Sequence, residues 1–206
     1  MNMIKLDTSK KSVGTNSKEY LIIHHTGGGT FKSNCELLST GTKKVSVHYV
    51  LGENGKIAKI GEHEDILWHA GFGKKPDTKK IIDFNRISIG IEVVSDGNNF
   101  TEAQRKAIPL LVKEICKKER IKKENVLRHK DISGYRGKWD IGDNFFNGES
   151  FEEWKNSIFN KTMTEAQKKW RDAAVALNSL GWHLFPDIPE KQEQIAKIAE
   201  ELRKWE

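Results

Sequence analysis

The first half of the chain has the polar and apolar pattern of short β-strands. Residues 20–25, YLIIHH, are aliphatic or aromatic up to a pair of histidines. Residues 45–51 and 57–60 flank the turn ENGK, which predicts a hairpin. Residues 87–94, ISIGIEVV, are almost wholly apolar, as is typical of a strand covered on both faces of a sheet. Together these segments predict a central β-sheet.

The second half has the spacing of helices that pack on such a sheet. Thr101 is a candidate N-cap, and apolar residues then recur with helical spacing as far as Ile115. Pro109 should kink or restart this helix. NVLRH, ending at His129, reads as a short strand and FEEWKNSIF as a short helix. The pattern therefore favours an α/β fold with a mixed central β-sheet flanked by helices.

The composition changes near residue 160, which predicts a domain boundary. Residues 161–206 are rich in Ala, Glu, Lys and Gln, and Gly181 is a candidate helix stop between two helical stretches. We therefore expect one main domain over residues 1–160 and a small helical C-terminal module over residues 161–206.

Charge and cysteine usage exclude several classes of protein. The 35 basic and 29 acidic residues give a net charge of +6, which favours anionic polymers without identifying one. No basic motif is interleaved with aromatic residues, and no apolar segment reaches membrane-spanning length, so neither nucleic acid nor membrane is an expected partner. Without an apolar signal segment, we expect synthesis in the cytoplasm, as a monomer by default. Cys35 and Cys116 have no metal-ligand spacing and are expected to be buried free thiols.

Two strands carry candidate catalytic residues. Alternation puts His24 and His25 on opposite faces of their strand, so only one of them can serve a given site. Glu92 interrupts an apolar strand, and a buried carboxylate is costly unless it is paired or used. Either Glu92 belongs to a site, or it reaches solvent or an arginine such as Arg86.

A polar loop near residue 135 holds a second set of candidates. In RHKDISGYRGKWDIGD, Asp140 lies eleven positions after His129, and Lys138 lies two positions before Asp140. The loop could bring an imidazole nitrogen and a carboxylate oxygen onto one ion, as in zinc hydrolases with three protein ligands. The alternative is a surface loop with internal salt bridges.

Five ordered motifs resemble a known family. IIHHTGG, VSVHYVLGENGKI, WHAG, ISIGIEVV and RHKDISGYRGKWD occur in the order found in the type 2 zinc-dependent N-acetylmuramoyl-L-alanine amidases, relatives of phage amidase lysins and peptidoglycan recognition proteins. The resemblance covers about residues 18 to 159. It implies the fold of that family and a bound Zn²⁺ ion.

The resemblance also implies a role for particular residues. It places the zinc ligands at His24, His129 and Asp140, the catalytic carboxylate at Glu92 and a catalytic lysine at Lys138. His25 would then face away from the metal.

The loop before Asp140 departs from the family pattern. Family members often have a Pro-Gly-Arg-Lys turn and a proline after the aspartate, whereas here residues 134–137 are GYRG and Ile141 follows Asp140. Asp131 and Asp143 are the alternative third ligands.

The resemblance indicates further positions near the substrate. His69, in LWHAG, and Thr26 are expected to contact substrate, while Trp68 is expected to pack. His48 is expected to be structural, since strand histidines usually find backbone partners.

The implied function is hydrolysis of peptidoglycan at the amide between N-acetylmuramic acid and L-alanine. A phage or prophage endolysin, made in the host cytoplasm and released by a holin, is the role we expect. The alternatives are a non-catalytic peptidoglycan-binding recognition protein and a bacterial amidase that recycles wall fragments. The tryptophans of the C-terminal module, Trp170, Trp182 and Trp205, would form a small core, a wall-binding surface or a contact with the main domain.

Overall fold

The computed structural model describes residues 3–159, which contain ten strands and four α-helices. The strands are β1 (Ile4–Lys5), β2 (Lys11–Ser12), β3 (Tyr20–His25), β4 (Tyr49–Leu51), β5 (Ile57–Lys59), β6 (Ile66–Leu67), β7 (Phe72–Lys74), β8 (Ile81–Asp83), β9 (Ser88–Val93) and β10 (Val126–Arg128). The helices are α1 (Phe31–Ser39), α2 (Glu102–Glu119), α3 (His129–Ser133) and α4 (Phe151–Phe159).

Six strands form a mixed sheet in the order β1-β5-β4-β9-β3-β10. Strand β9 pairs in parallel with β3 and β4, and β10 pairs in parallel with β3. The predicted hairpin is present as the antiparallel pair β4 and β5. The strand predicted over residues 45–51 is shorter than expected, because only Tyr49–Leu51 join the ladder.

One face of the sheet packs against α2 and α4. Alternation along β3 and β9 directs a set of apolar side chains to this side, where they form the largest core cluster with the helices. The strand members of this cluster include Leu21, Ile23, Ile89, Ile91 and Val93, all fully buried.

Helix α2 begins as the sequence predicts. The Thr101 hydroxyl accepts from the Gln104 amide, and the Gln104 side chain accepts from the Thr101 amide, which completes a capping box. The expected restart at Pro109 is wrong, since the helix runs unbroken from Glu102 to Glu119. Pro109 lies off the buried face made by Ile108, Leu111 and Ile115, so packing on the sheet holds the helix together.

The opposite face is covered by irregular chain and short elements. Phe84 and Ala70, between β6 and β9, and Ile132 of α3 pack on Tyr20 and Ile22. Helix α1, which the sequence pattern did not indicate, covers the β4–β5 end with Cys35 and Leu38. Cys35 and Cys116 are buried free thiols, as predicted.

Within residues 3–159, no helix is both long and apolar enough to cross a membrane. The helical module expected at residues 161–206 lies outside the described residues.

Candidate metal centre

The site lies where parallel strands β3, β9 and β10 end. His24 of β3 and Glu92 of β9 are partners in the ladder, so their side chains project from the same face. The carboxyl ends of parallel strands are the usual place for a site in α/β folds. His24 is only 1% exposed, which is the burial expected of a residue inside a site rather than at a strand end in water.

His129 and Asp140 reach this edge from the chain that follows β10. The sequence pattern predicts that His129 ends a strand. In the structure the strand ends at Arg128, and His129 is the first residue of α3. After α3 the chain turns back at Gly137, whose φ of +75° is in the left-handed region. The Lys130 amide then donates to the Asp140 carbonyl over 2.7 Å, which holds Asp140 next to His129.

Three potential ligand atoms converge. Asp140 Oδ2 lies 3.2 Å from His24 Nδ1 and 3.0 Å from His129 Nδ1. The three residues can place one ligand atom each within 4.8 Å of the others. The structure therefore brings together the three ligands that the resemblance implies.

The opposite ring nitrogens of both histidines are already engaged. His129 Nε2 lies 3.3 Å from the Ala70 carbonyl oxygen, and His24 Nε2 lies 3.0 Å from His69 Nδ1. A carbonyl only accepts, so His129 carries a proton on Nε2. A ring protonated only there presents an Nδ1 lone pair to the Asp140 carboxylate, and a bound cation would bring these two acceptors together. Two imidazoles and a carboxylate are donors that suit zinc.

The electrostatics of these groups fit the same reading. Burial, followed by the charge of His129, lowers the pKa of His24 to about 4, so its ring is neutral at physiological pH. A neutral imidazole and an ionised carboxylate are the forms that bind metals.

Glu92 is partly buried and forms no salt bridge within the described residues. Its Oε2 is the one buried side-chain nitrogen or oxygen in residues 3–159 that lacks a hydrogen-bond partner. Arg86, the alternative partner, contacts Asp83 instead. Burial and the charge of Asp140 raise the pKa of Glu92 to about 8, and the positive charge of Lys138 opposes that rise. Lys138 itself is exposed and near enough to act electrostatically on both Glu92 and His24.

The alternative third ligands are engaged elsewhere. The Asp131 carboxylate pairs with the Arg128 guanidinium at 2.8 Å. Asp143 pairs with Arg128 and, at 3.1 Å, with Lys130. Asp140 is thus the carboxylate that this loop directs at the two histidines.

His69 and Thr26, the expected substrate contacts, have protein partners. His69 is partly buried and lies beside His24. The Thr26 hydroxyl donates to the Gly28 carbonyl at 2.8 Å and accepts from the Ser95 amide at 3.2 Å. In this structure both side chains are engaged by other protein groups.

A second buried polar cluster, formed by Tyr49, His63, Glu119 and Lys18, was not indicated by the sequence pattern. The Tyr49 hydroxyl lies 2.6 Å from His63 Nε2, and His63 Nδ1 lies 2.6 Å from Glu119 Oε1. Lys18 completes the cluster at 3.2 Å from Glu119 Oε2. We call this group the Tyr49 cluster.

His48 is structural, in line with the prediction. Its Nδ1 accepts from the Gly90 amide at 3.0 Å, and its Nε2 lies 3.2 Å from the Asp65 carbonyl oxygen. Trp68 likewise donates from its indole nitrogen to Ser12.

Gly90 is a feature of the sequence that could have indicated the position of His69. Gly90 is an isolated glycine in a strand, which often marks a close approach by another group. A Cβ at Gly90 would lie 2.6 Å from His69 Nδ1, so the imidazole lies directly on the strand. Asn85, whose side chain holds the chain around His69, had no comparable signal.

The fold is that of a known family. The model of the N-acetylmuramoyl-L-alanine amidase family matches residues 14–143, and the chain belongs to this family.

Individual relatives agree with this assignment. The N-acetylmuramoyl-L-alanine amidase AmiD of Escherichia coli is 31% identical over 150 residues, which cover 64% of this chain and 52% of the relative. The 1,6-anhydro-N-acetylmuramyl-L-alanine amidase AmpD of Haemophilus influenzae is 36% identical over 106 residues, which cover 50% of this chain and 54% of the relative. The chain thus spans about half the length of these curated relatives.

A solved structure shows that the fold is shared. A mutant endolysin from Bacillus subtilis superposes with a TM-score of 0.59 at 20% identity, over 77% of this chain and 99% of the other. The mixed sheet with flanking helices is therefore the fold of known amidase-type structures.

Proposed function

We propose that the chain is a zinc-dependent N-acetylmuramoyl-L-alanine amidase that acts on bacterial peptidoglycan. The bond cleaved is the amide between the lactyl group of N-acetylmuramic acid and L-alanine. His24, His129 and Asp140 would hold the metal, with Glu92 and Lys138 as catalytic residues.

One observation carries the proposal. One ligand atom each from His24, His129 and Asp140 converge within 4.8 Å, next to a partly buried Glu92 whose buried Oε2 has no partner within the described residues. Leaving such a group unpaired costs about 1–3 kcal/mol or more, so a structural site would have satisfied it. A water molecule and a substrate amide would provide the missing contacts.

Each residue has a chemical task in this scheme. A bound zinc ion supplies electrophilic polarisation of the scissile carbonyl and makes water more acidic. Glu92 takes a proton from the attacking water and delivers it to the leaving amine. Because burial raises its pKa toward neutrality, this carboxyl is suited both to accept and to give a proton. Lys138 stabilises the negative charge that develops on the carbonyl oxygen.

We further propose that the natural substrate is the intact wall, which is the endolysin role. The fold shared with a Bacillus subtilis endolysin supports this role. The name of the Haemophilus influenzae relative refers to 1,6-anhydro-N-acetylmuramyl-L-alanine, so soluble wall fragments are the competing substrate.

The test is product analysis by mass spectrometry. The purified chain is incubated separately with intact peptidoglycan and with soluble anhydro-muropeptides, each with a zinc chelator and after zinc is restored. Glu92→Gln serves as the control for contaminating hydrolases.

New alanine amino termini from intact wall, lost with chelator and regained with zinc, are expected. Cleavage of soluble fragments alone would replace the endolysin role with wall recycling. Wall binding without cleavage in any metal condition would contradict the enzymatic proposal and favour a recognition protein.

A further inference from the structure

Two adjacent residues, His69 and Ala70, each contact one histidine of the proposed metal centre. His69 Nδ1 lies 3.0 Å from His24 Nε2, and the neighbouring Ala70 carbonyl oxygen lies 3.3 Å from His129 Nε2. In each case the contact is made at the ring nitrogen that faces away from Asp140. Two consecutive residues, one through its side chain and one through its carbonyl, therefore support two of the three proposed ligands.

These contacts define which nitrogen of each histidine is protonated. The Ala70 carbonyl can only accept, so His129 donates from Nε2. His69 Nε2 lies 3.4 Å from the Ser88 carbonyl oxygen, which also only accepts, so His69 is protonated on Nε2 and its Nδ1 accepts from His24. Both ligand histidines then present an unprotonated Nδ1 to the metal.

The backbone of residues 69–71 is held by a single side-chain atom. Asn85 Oδ1 accepts from the amides of His69 at 3.1 Å, Ala70 at 2.9 Å and Gly71 at 2.9 Å. Three donors that converge on one atom identify that atom as the carboxamide oxygen and not the nitrogen. No other group in the described residues makes hydrogen bonds to these three amides.

Asn85 is itself fixed from two directions. Its amide donates to Asp83 Oδ1 at 3.1 Å, and the preceding residue, Phe84, is fully buried. The Phe84 amide donates back to the Gly71 carbonyl at 2.8 Å, which closes the connection to the supported loop. A rigid turn thus carries the oxygen that orders the loop.

We propose that Asn85 is a positioning residue for the metal centre. Its carboxamide oxygen fixes residues 69–71, so that His69 and Ala70 hold His24 and His129 in the tautomers that leave Nδ1 available. Asn85 touches neither ligand and acts only through this loop. The inference rests on the proposed metal centre, and it predicts a proton on Nε2 of both His24 and His129 even in the metal-free protein.

The test compares four variants. Asn85→Ala removes the acceptor, and Asn85→Ser keeps an acceptor that is too short to reach the three amides. Asn85→Asp keeps an oxygen in place and should rescue the site. Gln104→Ala is the matched control, because Gln104 is a buried carboxamide that satisfies backbone groups at Thr101 and Val94 instead.

Two measurements are made on each variant of the full chain. Competition with a chromophoric chelator gives the zinc affinity, and long-range proton–nitrogen NMR spectra of the metal-free protein give the histidine tautomers. We expect Asn85→Ala and Asn85→Ser to weaken zinc binding on the order of 10- to 100-fold and to mix the tautomers of His24 and His129. Asn85→Asp should keep the wild-type tautomers and most of the affinity.

The control separates positioning from general stability. Gln104→Ala should lower the melting temperature and leave zinc affinity and tautomers unchanged. Unchanged tautomers and affinity in folded Asn85→Ala and Asn85→Ser, or an equal loss in Gln104→Ala, would overturn the inference. A wild-type chain with the predicted tautomers but no zinc affinity would instead contradict the proposed function.

Discussion

The metal centre and the Tyr49 cluster use the same residue types in opposite ways. Both place a histidine about 3 Å from a buried or partly buried carboxylate and include a lysine nearby. In the Tyr49 cluster, the Tyr49 hydroxyl donates to His63, His63 donates to Glu119, and Lys18 donates to Glu119, so donors and acceptors alternate.

At the metal centre this alternation fails. Acceptor atoms of His24 and His129 face an acceptor of Asp140, and Glu92 Oε2 has no partner within residues 3–159. A buried histidine next to a carboxylate is thus not in itself a site. The unbalanced hydrogen bonding identifies the group that needs a ligand.

The largest expected difference between the clusters is in catalysis. Glu92→Gln should lower the amidase rate on the order of 10²- to 10⁴-fold, because the proton acceptor is lost while the metal ligands remain. Glu119→Gln, the same change in the Tyr49 cluster, should leave the rate unchanged. Steady-state hydrolysis of a muropeptide substrate measures the rates of both variants. Equal rates for Glu92→Gln and Glu119→Gln would contradict a catalytic role that is specific to Glu92.

The lysines provide a second matched pair. Lys138→Met should cost on the order of 100-fold in the turnover rate, because a cation beside the developing oxyanion is lost. Lys18→Met should lower stability slightly and leave turnover intact. A Lys138→Met enzyme with wild-type turnover would exclude Lys138 from the reaction.

The third prediction concerns stability in the Tyr49 cluster. Tyr49→Phe removes the donor to the buried His63 Nε2, which should lower the free energy of unfolding by about 1–3 kcal/mol. Zinc affinity should not change, since the cluster is complete without the metal. Urea denaturation measures the loss of stability, and chelator competition measures the zinc affinity. A loss of zinc affinity in Tyr49→Phe would show that the Tyr49 cluster and the metal centre are coupled.

A pH dependence of stability is expected from His48, which lies between the two clusters. Burial lowers its pKa to about 3, so below pH ~6.5 the unfolded chain binds a proton that the folded chain does not. This histidine's contribution is complete above pH ~6.5 and falls by about 1.4 kcal/mol per pH unit as the pH drops toward 3. Denaturation of His48→Gln across this range should give a shallower slope, and an unchanged slope would contradict the assignment.

The strong periodic patterns of the sequence predicted the central fold. Strands β3 and β9, the β4–β5 hairpin and the start of α2 follow from apolar runs, a turn and a capping box. Helix α1 and the short strands β6 to β8 were missed, because their form depends on packing against the sheet rather than on local pattern. The predicted restart of α2 at Pro109 was wrong for the same reason. Burial of the apolar face of α2 stabilises the helix by more than the one missing hydrogen bond costs.

The candidate site was predicted only as far as residue types and order allow. His24, Glu92, His129 and Asp140 could be named because they match motifs or interrupt apolar strands. The supporting role of Asn85 could not, since three backbone amides meet its oxygen only after the chain has folded. The position of His69 against His24 depends on the same long-range contacts.

Equilibrium dialysis, which gives the zinc stoichiometry, tests directly whether His24, His129 and Asp140 form a metal centre. We expect one zinc ion per chain for the wild type and for Glu119→Ala, and none for Asp140→Ala. A wild-type chain that binds no zinc, or an Asp140→Ala chain that keeps it with wild-type affinity, would contradict the assignment of the metal centre.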